Sequence, residues 1–152
     1  MALTMTGEVD LAAPQQVVWE KLNDPDVLKA CIPGCESLEK TAENELQAVA
    51  KIKIGPVSAT FRGKVELTDI NPPHGYTISG EGQGGIAGFA KGAAKVDLVP
   101  IDGGTRMTYA VEAQVGGKIA QLGARLIDGV AKRMADQFFE RFAEKVNETK
   151  AG

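Results

Sequence analysis

The sequence predicts an α+β domain in which one antiparallel sheet packs against a long C-terminal helix. Two patterns and one length predict it. Between residues 45 and 115 apolar and polar side chains alternate, in runs broken by short Gly, Pro and Asn turns. From Lys118 the apolar period changes to 3.6. The 152 residues suit one domain, 1–152, with no linker, repeat or low-complexity segment.

The elements follow in order. Residues 2–11 end in Glu8-Val9-Asp10-Leu11, which alternates as a first strand. Ala13-Pro14 opens a helix, because Pro suits the first helical position, and Val18, Trp19 and Leu22 give it an apolar side. Asn23-Asp24-Pro25-Asp26 starts a second, short helix, with a capping side chain, a Pro and an acid at the positive end of the dipole. Pro33-Gly34 stops it. Leu46, Ala48, Ala50, Ile52 and Ile54 form one strand face, and Gly55-Pro56 turns the chain. Val57, Ala59, Phe61, Gly63, Val65 and Leu67 form the next. After the turn at Asn71-Pro72-Pro73-His74-Gly75 come Tyr76, Ile78 and Gly80. A strand at 89–100, the Asp102-Gly103-Gly104 turn, and Met107, Tyr109, Val111, Ala113 and Val115 complete a hairpin. Ile119, Leu122, Leu126, Ile127, Val130, Met134, Phe138 and Phe142 then mark one amphipathic helix of about 30 residues. The sheet should have six or seven strands.

Composition excludes several functions. Apolar residues make up 43% and charged residues 24%, the balance of an ordinary globular chain rather than a disordered one. Net charge is −3 and the basic residues are scattered, which argues against nucleic-acid binding. The N-terminus lacks the pattern of a secretory signal, and no apolar run approaches the ~18 residues of a membrane span. The expected location is the cytoplasm. Cys31 and Cys35 flank a Pro-Gly turn with only a distant His74 to join them. That is short of the four ligands a structural zinc needs, so two free thiols are expected and no metal.

Two departures from average point inward. Glycine is abundant, 18 residues of 152, and aromatics make up only 5%. Alternation places Ala48, Ala50, Ala59, Gly63, Gly80, Ala90, Gly92, Ala94 and Ala113 on the inner sheet face, opposite Ala120, Gly123, Ala124, Gly129, Ala131 and Ala135 on the helix. Two arrangements fit equally. Small residues on both partners bring helix and sheet close around a solid core, or they leave an apolar cavity between them.

Motifs for chemistry are weak. Gly80-Glu81-Gly82-Gln83-Gly84-Gly85 matches G-x-G-x-x-G, but no helix follows it as dinucleotide binding requires. It reads as a flexible connection, continuing through Ile86-Ala87-Gly88-Phe89-Ala90 as a mobile lip over a pocket. His74 sits in an exposed turn. No nucleophile elbow, catalytic triad or paired carboxylates emerge, so no catalytic residue is assigned.

The chain resembles the CoxG family, the G-type accessory subunits of carbon monoxide dehydrogenase. The resemblance runs through Pro14, Trp19, Leu22-Asn23-Asp24-Pro25, Leu28 and Cys31-Ile32-Pro33-Gly34-Cys35. It continues in Ile54-Gly55-Pro56-Val57, Phe61-Arg62-Gly63, Asn71-Pro72-Pro73 and Gly88-Phe89-Ala90-Lys91-Gly92, and ends in Val115-Gly116-Gly117-Lys118-Ile119-Ala120-Gln121-Leu122-Gly123. It implies a START-like (Bet v 1-like) helix-grip fold with an apolar cavity. It also implies an accessory role beside a molybdenum hydroxylase such as carbon monoxide dehydrogenase, with membrane recruitment and a bound quinone or isoprenoid lipid. The polar stretch 144–152 favours a soluble carrier, peripheral at the inner membrane face through transient contact, over a permanently anchored protein.

On this reading Phe61, Ile78, Val96, Met107, Tyr109, Leu122, Leu126 and Val130 line the cavity, with the Tyr109 hydroxyl offered to a quinone carbonyl. Leu28, Ile32, Ile86 and Phe89 guard its opening. The rival readings are a cyclase or aromatase-type enzyme in the same fold, and a docking or assembly factor with a filled core.

Overall fold

The computed structural model describes the backbone of residues 2–151 and the side chains of residues 2–147. Seven antiparallel strands make one sheet: β1 (Ala2–Leu11), β2 (Cys35–Ala42), β3 (Glu45–Ile54), β4 (Val57–Asn71), β5 (Gly75–Gln83), β6 (Phe89–Ile101) and β7 (Gly104–Gly116). Their spatial order is β1-β7-β6-β5-β4-β3-β2, so β2 to β7 form a meander and β1 closes alongside β7. Two short helices, α1 (Gln15–Leu22) and α2 (Pro25–Cys31), link β1 to β2. The long helix α3 (Ala124–Ala151) lies across the inner face.

Local chemistry accounts for the ends of these elements. Asp24 caps α2, its carboxylate accepting the Asp26 backbone N–H at 2.9 Å, and Pro25 occupies the first turn. Pro14 lies one residue before α1 rather than inside it, in extended conformation, and its carbonyl accepts from the Val18 N–H. The strand β2 carries no alternation that sequence could reveal. Of its eight residues only Leu38 is buried, and the others include Glu36, Glu39, Lys40 and Thr41.

The C-terminal helix is shorter than its periodicity suggests. Lys118–Leu122 forms a 3-10 turn, and Gly123, at φ +99°, separates it from α3. A left-handed backbone cannot continue a right-handed helix. The stripe of apolar residues therefore spans two elements set at an angle. The glycine-rich segment also differs from expectation. Gly80 and Gly82 lie within β5 and Gly92 within β6, and the connection between those strands is a single 3-10 turn, Gly85–Ala87.

The core is divided. One cluster joins α1, α2 and the C-terminal half of α3 to the sheet through Val18, Trp19, Leu22, Tyr76, Leu98, Met107, Phe142 and Val146. A second, at the opposite end, contains Ile54, Phe61, Ala87, Val115, Ile119 and Ile127. A third small cluster, Leu28, Leu38 and Leu46, seals α2 onto β2 and β3. Among the described residues no helix is long and apolar enough to cross a membrane.

Candidate functional site

Strand register explains where space is left. Residues directly opposite in an antiparallel pair share a face, so pairing defines rows that cross the sheet. One inward row reads Ala48, Gly63, Gly82, Ala90 and Val115. The next reads Val65, Gly80, Gly92, Ala113 and Leu3. Small side chains dominate both. Two rows further along the sheet are Tyr76, Val96, Tyr109 and Gly7, then Leu98, Met107 and Val9. There the side chains are large.

A hollow of about 380 Å³ lies over the small rows. Its sheet wall is Leu3, Met5, Ala48, Ala50, Ile52, Ile54, Phe61, Gly63, Val65, Gly80, Gly82, Ala90, Val111, Ala113 and Val115. Its other wall is Ile119 with Ile127, Val130, Ala131 and Met134, which fall on one face of α3 at i, i+3, i+4 and i+7. The volume falls within the roughly 300–1,000 Å³ usual for small-molecule sites. Lys64 and Glu81 are the only charged residues on its border, and both are exposed at outward strand positions. Lys64 is held outside by Glu66 at 2.9 Å and Glu45 at 3.5 Å. The wall is therefore apolar, and what it can do is exclude water from an apolar guest.

A larger depression, about 650 Å³, lies on the outer sheet face among Lys64, Glu66, Glu81, Lys91, Glu112 and Gln114. Its border mixes charges of both signs on exposed strand positions, which does not suit an apolar ligand.

Of the residues assigned to the cavity from sequence, Phe61 and Val130 line it. Six do not. Ile78, Val96, Met107 and Tyr109 belong to the filled end, because their rows meet the large residues of α3 and α1. The Tyr109 ring stacks on Phe139 with centroids 4.2 Å apart, over Gly7, where a methyl group would overlap its hydroxyl. Its pKa is raised by burial and by nearby Asp136. Leu122 and Leu126 pack against the second core cluster, outside the hollow, with Leu126 resting on Gly55 at the tip of the β3–β4 hairpin.

The four residues expected at an opening are also elsewhere. Leu28 is buried with Leu38 and Leu46 while Ile32 packs beside them, so they form a seal on the α2 flank. Ile86 is 91% exposed at the tip of the β5–β6 turn, and the Phe89 ring covers Gly116. None of the four borders the hollow. The residues missed were the small and mid-sized ones, such as Ala48, Val111, Ile127 and Met134. A cavity is lined by what fails to fill it.

The other titratable groups are accounted for structurally. Cys31 is buried and Cys35 half-buried, both free, and burial pushes both thiols up from their ordinary pKa. His74 is exposed, with a ring nitrogen 3.4 Å from the Gln15 amide. No group of three or more His, Cys, Asp or Glu is placed to hold a metal among the described residues.

Comparison with known proteins agrees with this geometry. The family model for the G subunit of carbon monoxide dehydrogenase (CoxG) matches residues 7–147. The chain belongs to the CoxG family. A conserved protein from Geobacillus kaustophilus is 38% identical, over 97% of this chain and 97% of that one, with a TM-score of 0.90. The fold is shared more widely. The ZhuI aromatase/cyclase from Streptomyces sp. R1128 superposes with a TM-score of 0.68 at 15% identity, over 97% and 94% of the two chains. Ara h 8.0201 does so with 0.70 at 18% identity, over 97% and 99%. No curated protein matches the chain. The architecture of this CoxG-family protein is thus the START/Bet v 1-like helix grip, an antiparallel sheet holding a long C-terminal helix.

Proposed function

We propose that the protein is a binding subunit, not an enzyme, that carries an apolar ligand of the quinone or isoprenoid-lipid class for a carbon monoxide dehydrogenase-type molybdenum hydroxylase. The observation that carries the reading is the 380 Å³ hollow between the small-residue rows of the sheet and one apolar face of α3. Membership of the CoxG family supports the link to the hydroxylase. Burial of apolar ligand surface would supply about 25 cal/mol per Å², less the cost of association. Membrane recruitment and electron hand-off belong to the same proposal, since such a ligand is drawn from a bilayer.

The cyclase reading has the shared fold of the ZhuI aromatase/cyclase in its favour. Acid–base chemistry on a bound polyketide would need a titratable side chain reaching the guest. The lining supplies apolar side chains, with Lys64 and Glu81 turned to solvent.

The test offers purified protein menaquinone, ubiquinone and a mixed lipid extract, followed by native mass spectrometry and organic extraction. One ligand retained per chain is expected. A protein that stays empty with all three contradicts the proposal.

A further inference from the structure

We infer that the guest of the apolar hollow carries an anionic head group, held at a basic mouth between β3 and α3. The inference rests on the hollow being a ligand site, and it narrows that reading to an amphiphile ending in a carboxylate or phosphate. A second depression, about 200 Å³, adjoins the hollow, and Ile52, Val130 and Met134 border both. Its polar border consists of Lys51, Lys53, Arg133 and Gln137, with no carboxylate. Three positive charges thus collect at one place on a chain whose net charge is −3.

Other cations of the sheet are neutralised by neighbours. Lys64 bridges Glu45 and Glu66, and Arg106 holds Asp10 at 2.8 Å. Lys51, Lys53 and Arg133 form no ion pair among the described residues. Their placement is built in. The strand β2 pairs with β3 only as far as Ala50, and beyond it the Cys31–Cys35 loop takes over, with the Gly34 carbonyl accepting the Lys51 N–H at 2.9 Å. Gly34 sits at φ +78°, and a methyl group there would overlap the Lys51 carbonyl. The loop therefore closes onto the lysine-bearing end of β3. Arg133 adjoins Met134 in sequence and follows Val130 by three, which keeps it on the α3 flank of the hollow.

Donor chemistry then selects the head. Lys and Arg side chains offer only donors, and Gln137 adds an amide. A group rich in acceptor oxygens and bearing negative charge satisfies all of them, whereas a hydroxyl or neutral head leaves the cations uncompensated.

Dodecanoate and dodecanol share a tail and differ in the head, so calorimetric titration of each into the full chain is the test. At low salt the native protein should prefer the carboxylate by about tenfold, the scale of three exposed ion pairs. That preference should fade in 1 M salt, where the screening length is about 3 Å. The triple variant K51Q/K53Q/R133Q should bind both equally, with dodecanol affinity unchanged. Equal binding of both by the native protein, or a preference that survives the triple variant, overturns the inference while leaving the hollow as a ligand site. Binding of neither overturns both. Co-sedimentation with phosphatidylglycerol vesicles, but not phosphatidylcholine vesicles, with no dodecanoate preference would assign the charges to a bilayer surface and also overturn it.

Discussion

The same helix face meets the same sheet at two ends of the molecule with opposite results. Near its start α3 presents Ile127, Val130, Ala131 and Met134 to rows of glycine and alanine, and a hollow remains. Near its end it presents Phe138, Phe139, Phe142 and Val146 to rows carrying Tyr76, Val96, Leu98, Met107 and Tyr109, and the space is filled. The helices α1 and α2 add Val18, Trp19, Leu22 and Cys31 to the filled end alone. Stability and binding are thus divided along one helix. Close packing at one end is what lets the other stay open, since an interior at ordinary density would leave few voids larger than a water.

Three substitutions probe that division. Phe142→Ala removes a side chain with no exposure from the filled end and should cost about 3–5 kcal/mol, read by urea denaturation. A cost below about 1 kcal/mol would mean that this end is loosely packed as well.

Tyr76→Phe should cost about 0.5–1.5 kcal/mol at neutral pH, because the hydroxyl donates to the Leu22 carbonyl at 3.0 Å. The pH dependence has a definite sign. Burial raises the Tyr76 pKa above its ordinary 10.0, so its contribution is complete below about 10 and is lost as pH climbs above it. Burial raises Cys31 and Cys35 above their ordinary 9.0 in the same sense. Stability should hold to about pH 9 and then decline, less steeply in the Tyr76→Phe variant than in the native protein. Parallel declines would remove Tyr76 from the account.

The smallest effect on folding is expected at the hollow. Ala131→Leu adds volume where there is room for it, so stability should change by less than about 1 kcal/mol, against about 1–3 for the same enlargement in a filled core. Ligand retention in the extraction assay should be lost. A large loss of stability would show that the hollow closes in solution.

The fold and the small-residue rows were legible because alternation and two tight turns are strong local signals. Counting back from Gly55-Pro56 puts Ala48 opposite Gly63, and counting out from Asp102-Gly103 puts Ala90 opposite Val115. The remaining registers were not legible. The β4–β5 connection includes a register shift between Thr68 and Asn71, and the β5–β6 link is a 3-10 turn rather than a two-residue loop. Without those registers, the large inward residues Ile78, Val96, Met107 and Tyr109 could not be assigned to one end of the sheet. They were placed around the cavity because they face inward, but so does everything in the filled core. The strand β2 escaped because one buried leucine leaves no periodicity. The break at Gly123 escaped because a 3-10 turn keeps nearly the same apolar spacing as the helix it precedes.

Methyl chemical-shift mapping during ligand titration tests the division most directly, because both ends carry methyl groups in one spectrum. The account predicts shifts at Ile54, Val115, Ile127 and Val130, with Leu22, Leu98, Met107 and Val146 unmoved. Shifts centred on the second set, or none at saturating ligand, would contradict it.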